Sequence, residues 1–148
     1  MSVLNYLAGG DVIKFRTPHG HMEIKLKGFF PCGKVKLKKL FKVIRSGYGN
    51  DVETIKNVLT GFFEFEITEN KQLSEHCPER IKRYMDEVDW LNKNKEKLLS
   101  EGKYKSKREF NEAVRHYKAC ADSIKEDQRR YERNIESYKN NLELLREL

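Results

Sequence analysis

Residues 106–148 read SKREFNEAVRHYKACADSIKEDQRRYERNIESYKNNLELLREL. Within them, Phe110, Val114, Tyr117, Ala121, Ile124, Gln128, Tyr131, Ile135, Tyr138, Leu142 and Leu145 follow one another in alternating steps of four and three residues, and all but Gln128 are apolar or aromatic. A seven-residue apolar repeat held this long predicts one continuous helix with a coiled-coil-like seam. Ser106 and Glu109 form an S-x-x-E capping box, which places the start of that helix at about residue 106.

Upstream, Ile81, Tyr84, Val88, Leu91 and Leu98 repeat at helical spacing, Pro78 suits a first helical position, and Gly102 suits a helix stop. These signals predict a helix over about 78–101, joined to the last one by a short loop and therefore antiparallel to it. The lengths do not match. At about 1.5 Å per residue, the first helix spans roughly 35 Å and the second roughly 64 Å. The first would then cover its partner only to about residue 125. Tyr131, Ile135, Tyr138, Leu142 and Leu145 are left needing cover. Burying each is worth about 1.5–3 kcal/mol. They are therefore expected at an interface, either with the N-terminal domain or in a homodimer formed through the C-terminal helix. Trp90, flanking the apolar stripe of the first helix, is expected at the same kind of joint.

The chain before this hairpin reads as α+β, a basic N-terminal domain over residues 1–70 with a polar linker over 71–77. Val12 to Arg16 and His21 to Lys27 alternate on either side of the turn Thr17-Pro18-His19-Gly20, which is a β-hairpin signal. Leu37, Leu40, Phe41 and Ile44 form the apolar stripe of a helix over about 35–46, broken by Gly47 and Gly49. Asp51 is a good N-cap for a second helix to Thr60, with Gly61 as its stop. Phe63, Phe65 and Ile67 alternate with Glu64 and Glu66, which predicts a third strand over 62–67 and the order β-β-α-α-β.

The 148 residues carry a net charge of +7 with a pI near 9.2, which favours polyanionic partners. Ten basic residues and a single acid, Glu23, lie between Lys14 and Arg45. The cations expected to form one binding surface are Lys25, Lys27, Lys34, Lys36, Lys38, Lys39, Lys42 and Arg45, with Phe29, Phe30 and Tyr48 as rings that could stack on bases. That expectation requires them to lie on neighbouring surfaces, free of carboxylates from the helical arm. A helix-turn-helix reading around Gly47-Tyr48-Gly49 is disfavoured. Its reading helix would carry Asp51 and Glu53, which repel phosphate.

No phosphate loop, nucleophile elbow or H-E-x-x-H occurs, so an enzyme is not expected, nor a cofactor. His19, His21 and Cys32 lack a fourth ligand at suitable spacing, so no metal site is expected. Cys32, Cys77 and Cys120 are odd in number and widely spaced, which argues against a disulfide framework. The opening MSVLNYLAGGD lacks the basic start and apolar length of a signal peptide, and no apolar run approaches the ~18 residues of a membrane span. The location expected is cytoplasmic. Two roles remain as expectations. One is a binding protein whose basic face engages nucleic acid or a nucleic-acid-processing machine, with the hairpin as scaffold. The other is a protein-binding inhibitor or adaptor without nucleic-acid affinity, such as a phage or mobile-element product that blocks a host nucleic-acid or defence enzyme.

Overall fold

The structure is a computed structural model that describes residues 11–148. The stretch read above for a signal segment, residues 1–10, lies outside the described residues. Strands β1 (Val12–Thr17) and β2 (Gly20–Lys25) pair antiparallel, with Ile13 opposite Ile24 and Phe15 opposite Met22. The turn between them is held by the Thr17 hydroxyl, which donates to the Gly20 carbonyl at 2.9 Å and accepts the His19 N–H at 3.2 Å. Gly20 sits at φ +124°, where a side chain would be strained. Helices α1 (Leu26–Phe29), α2 (Lys34–Ser46), α3 (Val52–Lys93), α4 (Lys95–Ser100) and α5 (Lys107–Glu147) follow. The fold is α+β, a two-stranded sheet followed by helices that make up most of the chain.

The third strand is not formed. Phe62–Ile67 and the expected linker 71–77 both lie inside α3, so the order β-β-α-α-β and the 78–101 helix are corrected together. The reason is visible in the burial. Ile55, Val58, Leu59, Phe62, Phe63, Glu66 and Asn70 are all buried, a helical stripe that runs straight through Gly61. Phe62 and Phe63 are neighbours in sequence and both lie in the core, which a strand's alternation forbids. A mid-helix glycine costs only about 1 kcal/mol relative to alanine, which the buried stripe outweighs. Pro78 likewise stands within α3 rather than at its start.

The start and stop signals other than Gly61 and Pro78 are obeyed. The Asp51 carboxylate accepts the Thr54 N–H at 3.1 Å and the Thr54 hydroxyl at 2.5 Å, capping α3 and holding the Asp51 carboxyl below its usual range. Ser106 Oγ accepts the Glu109 N–H at 3.2 Å, and Glu109 Oε2 accepts the Lys105 N–H at 3.0 Å, one residue further back than in the usual capping box. Gly102, at φ +72°, ends α4. Lys103 N–H bonds the Leu98 carbonyl at 3.0 Å and Gly102 N–H the Leu99 carbonyl at 3.3 Å, a Schellman ending. Asn94 had no helix-breaking role in the sequence reading, yet it separates α3 from α4. Its amide donates to the Trp90 carbonyl at 2.8 Å.

The described residues fall into two compact units. One comprises the chain up to Asn70 together with Arg133–Leu148, and the other comprises Lys71–Glu132. In the first, Ile13, Phe15, Leu26, Phe30, Leu37, Leu40, Phe41, Ile44, Ile55, Val58, Leu59, Phe62 and Phe63 pack with Tyr138 and Leu145 around one core. In the second, Leu91, Leu98 and Phe110 form a smaller core flanked by Tyr104, Val114 and Tyr117. Among the described residues no helix is long and apolar enough to cross a membrane.

Candidate functional site

Helix α2 owes its two-sided character to spacing. Leu37, Leu40, Phe41 and Ile44 fall within one turn-to-turn stripe and are buried, so the remaining positions face solvent. No Asp or Glu occurs from Ile24 to Asn50. Lys38, Lys39 and Lys42 are exposed and make no ion pair among the described residues. Val35, 68% exposed, and Val43 flank them on the same helix.

The other predicted cations divide. Lys27 stands 3.9 Å from Glu66, a core carboxylate only 9% exposed whose pKa is raised by burial and partly restored by Lys27. The Arg45 guanidinium donates to the Leu148 carbonyl and lies 5.7 Å from the Phe41 ring. It therefore helps satisfy the end of α5. Lys36 sits over the half-buried Phe29 ring at 4.3 Å. Lys34 and Lys38 border a small cleft of about 100 Å³ with Leu144, Glu147 and Leu148. Lys25 is exposed at the end of β2, opposite Val12. Lys27 and Arg45 thus carry structural contacts, and on α2 Lys34, Lys38, Lys39 and Lys42 are exposed without an ion pair among the described residues.

Two of the three expected stacking rings are corrected. Phe30 is 2% exposed, its ring lies 5.0 Å edge-on to Phe63, and Phe29 stacks edge-on against it at 4.9 Å. Both are drawn inward because α1 closes the core against α3 and α5. Tyr48, by contrast, is 89% exposed. It occupies the turn Gly47–Asn50, whose backbone is tied to β1. Asn50 accepts the Arg16 N–H and donates to the Arg16 and Ile44 carbonyls, each at 2.8 Å. Gly47 permits this approach, since a Cβ there would stand 1.9 Å from the Arg16 carbonyl oxygen.

Of the five expected interface positions, Ile135, Tyr138, Leu142 and Leu145 lie in the first unit and Tyr131 in the second. Tyr138 and Leu145 are buried in the first unit's core and Leu142 packs against it, while Ile135 is buried and Tyr131 half-buried. Tyr138 lies 5.9 Å from both Phe62 and Phe63, and its hydroxyl donates to the Phe30 carbonyl at 3.3 Å. Burial and the nearby Glu66 charge push its phenol well above the usual range, so it remains a donor. Tyr138, Leu142 and Leu145 thus pack on residues of the N-terminal part of the chain, one of the two covers the sequence allowed. Trp90 is 51% exposed, so it does not close a buried joint.

Several positions that build the site carried no signal. Asn141, 1% exposed, accepts the Cys32 N–H at 3.1 Å and donates to the Cys32 carbonyl at 2.7 Å, clamping the loop ahead of α2 across 109 residues of sequence. Asn50 does the same for β1 across 34 residues. Cys32 itself is half-buried, and burial pushes its thiol up, with Lys36 opposing. His19 and His21 are exposed at the hairpin turn, and among the described residues no three His, Cys, Asp or Glu side chains converge as metal ligands. No protein-family model matches the chain, and no curated protein or solved structure matches it either.

Proposed function

We propose that this is a non-enzymatic binding protein whose α2 surface grips the phosphate backbone of nucleic acid. The observation that carries the reading is the exposed group Lys38, Lys39 and Lys42, none of which makes an ion pair among the described residues, on a helix whose opposite side is locked into the core. Ammonium groups held this way displace condensed counterions from phosphates, and binding then weakens with salt. In the second unit, Tyr84 meets Tyr117 at 6.3 Å, and Leu91 shares a core with Phe110. These contacts support the reading of this unit as a helical hairpin, coiled-coil-like in its packing, that serves as scaffold or spacer.

Fluorescence anisotropy with labelled DNA and RNA across a salt series tests the proposal. Binding at about 50 mM salt should fall steeply as salt rises. In the triple variant K38E/K39E/K42E the slope on a single strand should flatten by about 2, from three lost contacts at about 0.7 each. Absence of binding at low salt removes the reading.

A second reading, a protein inhibitor or adaptor docking on an acidic surface of a nucleic-acid-processing or defence enzyme, is favoured by one feature. Val35 and Val43 are exposed among the lysines, and a mixed apolar and basic face suits a protein surface better than phosphate alone.

A further inference from the structure

We infer that Tyr48 is a stacking platform for an unpaired base, which makes the ligand of the α2 surface single-stranded nucleic acid. The inference rests on the nucleic-acid reading above and deepens it.

An exposed tyrosine on a mobile loop would be unremarkable, but this one stands on a braced turn. The Asn50 side chain makes three hydrogen bonds that tie the turn to β1 and to the end of α2. Gly47 packs so close to Arg16 that no other residue fits without movement, and Gly49 adopts φ +80°. Tyr48 itself makes no ring contact or hydrogen bond among the described residues. The ring is therefore held outward by a backbone whose ordering was completed on folding, which lowers the entropy lost when something stacks on it.

The surroundings supply the matching charges. A Cβ on Gly49 would lie 3.5 Å from Arg16 Nη1, so the exposed Arg16 guanidinium rests against this turn. Arg16 forms no ion pair among the described residues. Lys42, exposed and unpaired, precedes the turn on the last stretch of α2. An aromatic face with a guanidinium against the same turn, on a chain whose preceding helix carries free ammonium groups, is the combination that binds base and phosphate of one strand together. In a duplex the base faces are occupied by their neighbours, so the ring finds a partner only where a base is unpaired.

The test compares the full-length protein on a short oligothymidylate, on an abasic deoxyribose-phosphate strand of equal length, and on a duplex. The wild type should bind oligothymidylate about ten-fold more tightly than the abasic strand. Y48A should lose that preference with its salt slope unchanged, and Y48W should keep it. Because the ring is exposed, the thermal midpoint of Y48A should equal that of wild type. Equal affinity of wild type for the two strands, a preference retained in Y48A, or a preference for duplex overturns the inference. If strand binding persists with a lysine-dependent slope, the phosphate reading stands without it. If neither strand binds at low salt, both fall.

Discussion

Glu66 is the residue with most at stake in the first core. Among the described residues its Oε1 has no hydrogen-bond partner and its one ion pair is with Lys27 at 3.9 Å, and burial raises its pKa above the usual 4.5. A carboxyl whose folded pKa exceeds its unfolded one binds its proton more tightly when folded. Its contribution to stability is greatest below pH 4.5 and is lost as pH rises through the raised folded value. Glu66→Gln keeps the shape and removes the charge. The variant should therefore unfold at a higher temperature than wild type at pH 7, and its advantage should vanish near pH 4. Lower stability of the variant at pH 7 would mean that the Lys27 attraction outweighs desolvation. Neither the burial of Glu66 nor the role of Asn50 and Asn141 was legible in the sequence. Glutamate in an alternating run looks solvent-facing, and an asparagine's partners dozens of residues away leave no local pattern.

At the scale of elements, the caps were legible and the interiors were not always. Asp51, Ser106 with Glu109, and Gly102 all act where their chemistry predicts, because a cap is decided by residues within one turn. The stretch Phe62–Ile67 is locally ambiguous, with β-branched and aromatic residues in alternation after a glycine. It is helical because α5 presents Tyr138 to Phe62 and Phe63 together. Tertiary packing overrode propensity there. Phe65→Pro is the discriminating substitution. In a helix interior proline removes a hydrogen bond and clashes with the preceding turn, at about 3 kcal/mol. Circular dichroism should show lost helix and a lower unfolding midpoint. A variant with wild-type helicity would restore the strand reading.

On the scale of the whole molecule, the first unit is discontinuous: Arg133–Leu148 completes a core begun more than a hundred residues earlier. In this core Tyr138 and Leu145 are buried and Leu142 packs against them, whereas Tyr131 belongs to the second unit and is half-buried. Tyr138→Ala should cost about 3–5 kcal/mol, as for other large aromatic core residues. Deletion of residues 133–148 should leave Phe30, Phe62 and Phe63 uncovered and yield a chain that exposes apolar surface and binds the dye ANS. Retention of a cooperative thermal transition by the deleted chain would count against this account of the core.

The one-dimensional pattern settled the β-hairpin, the helix α2, the long helix α5, the caps and the lopsided positive charge. Each depends on residues a few positions apart, within reach of local backbone geometry. Only the folded chain decided that residues 62–67 continue a helix, that Tyr138 and Leu145 are core, and that Lys27 and Arg45 serve structure while Lys38, Lys39 and Lys42 stay unpaired. Those outcomes turn on which distant side chains meet in a low-dielectric interior, where burial energies exceed local preferences.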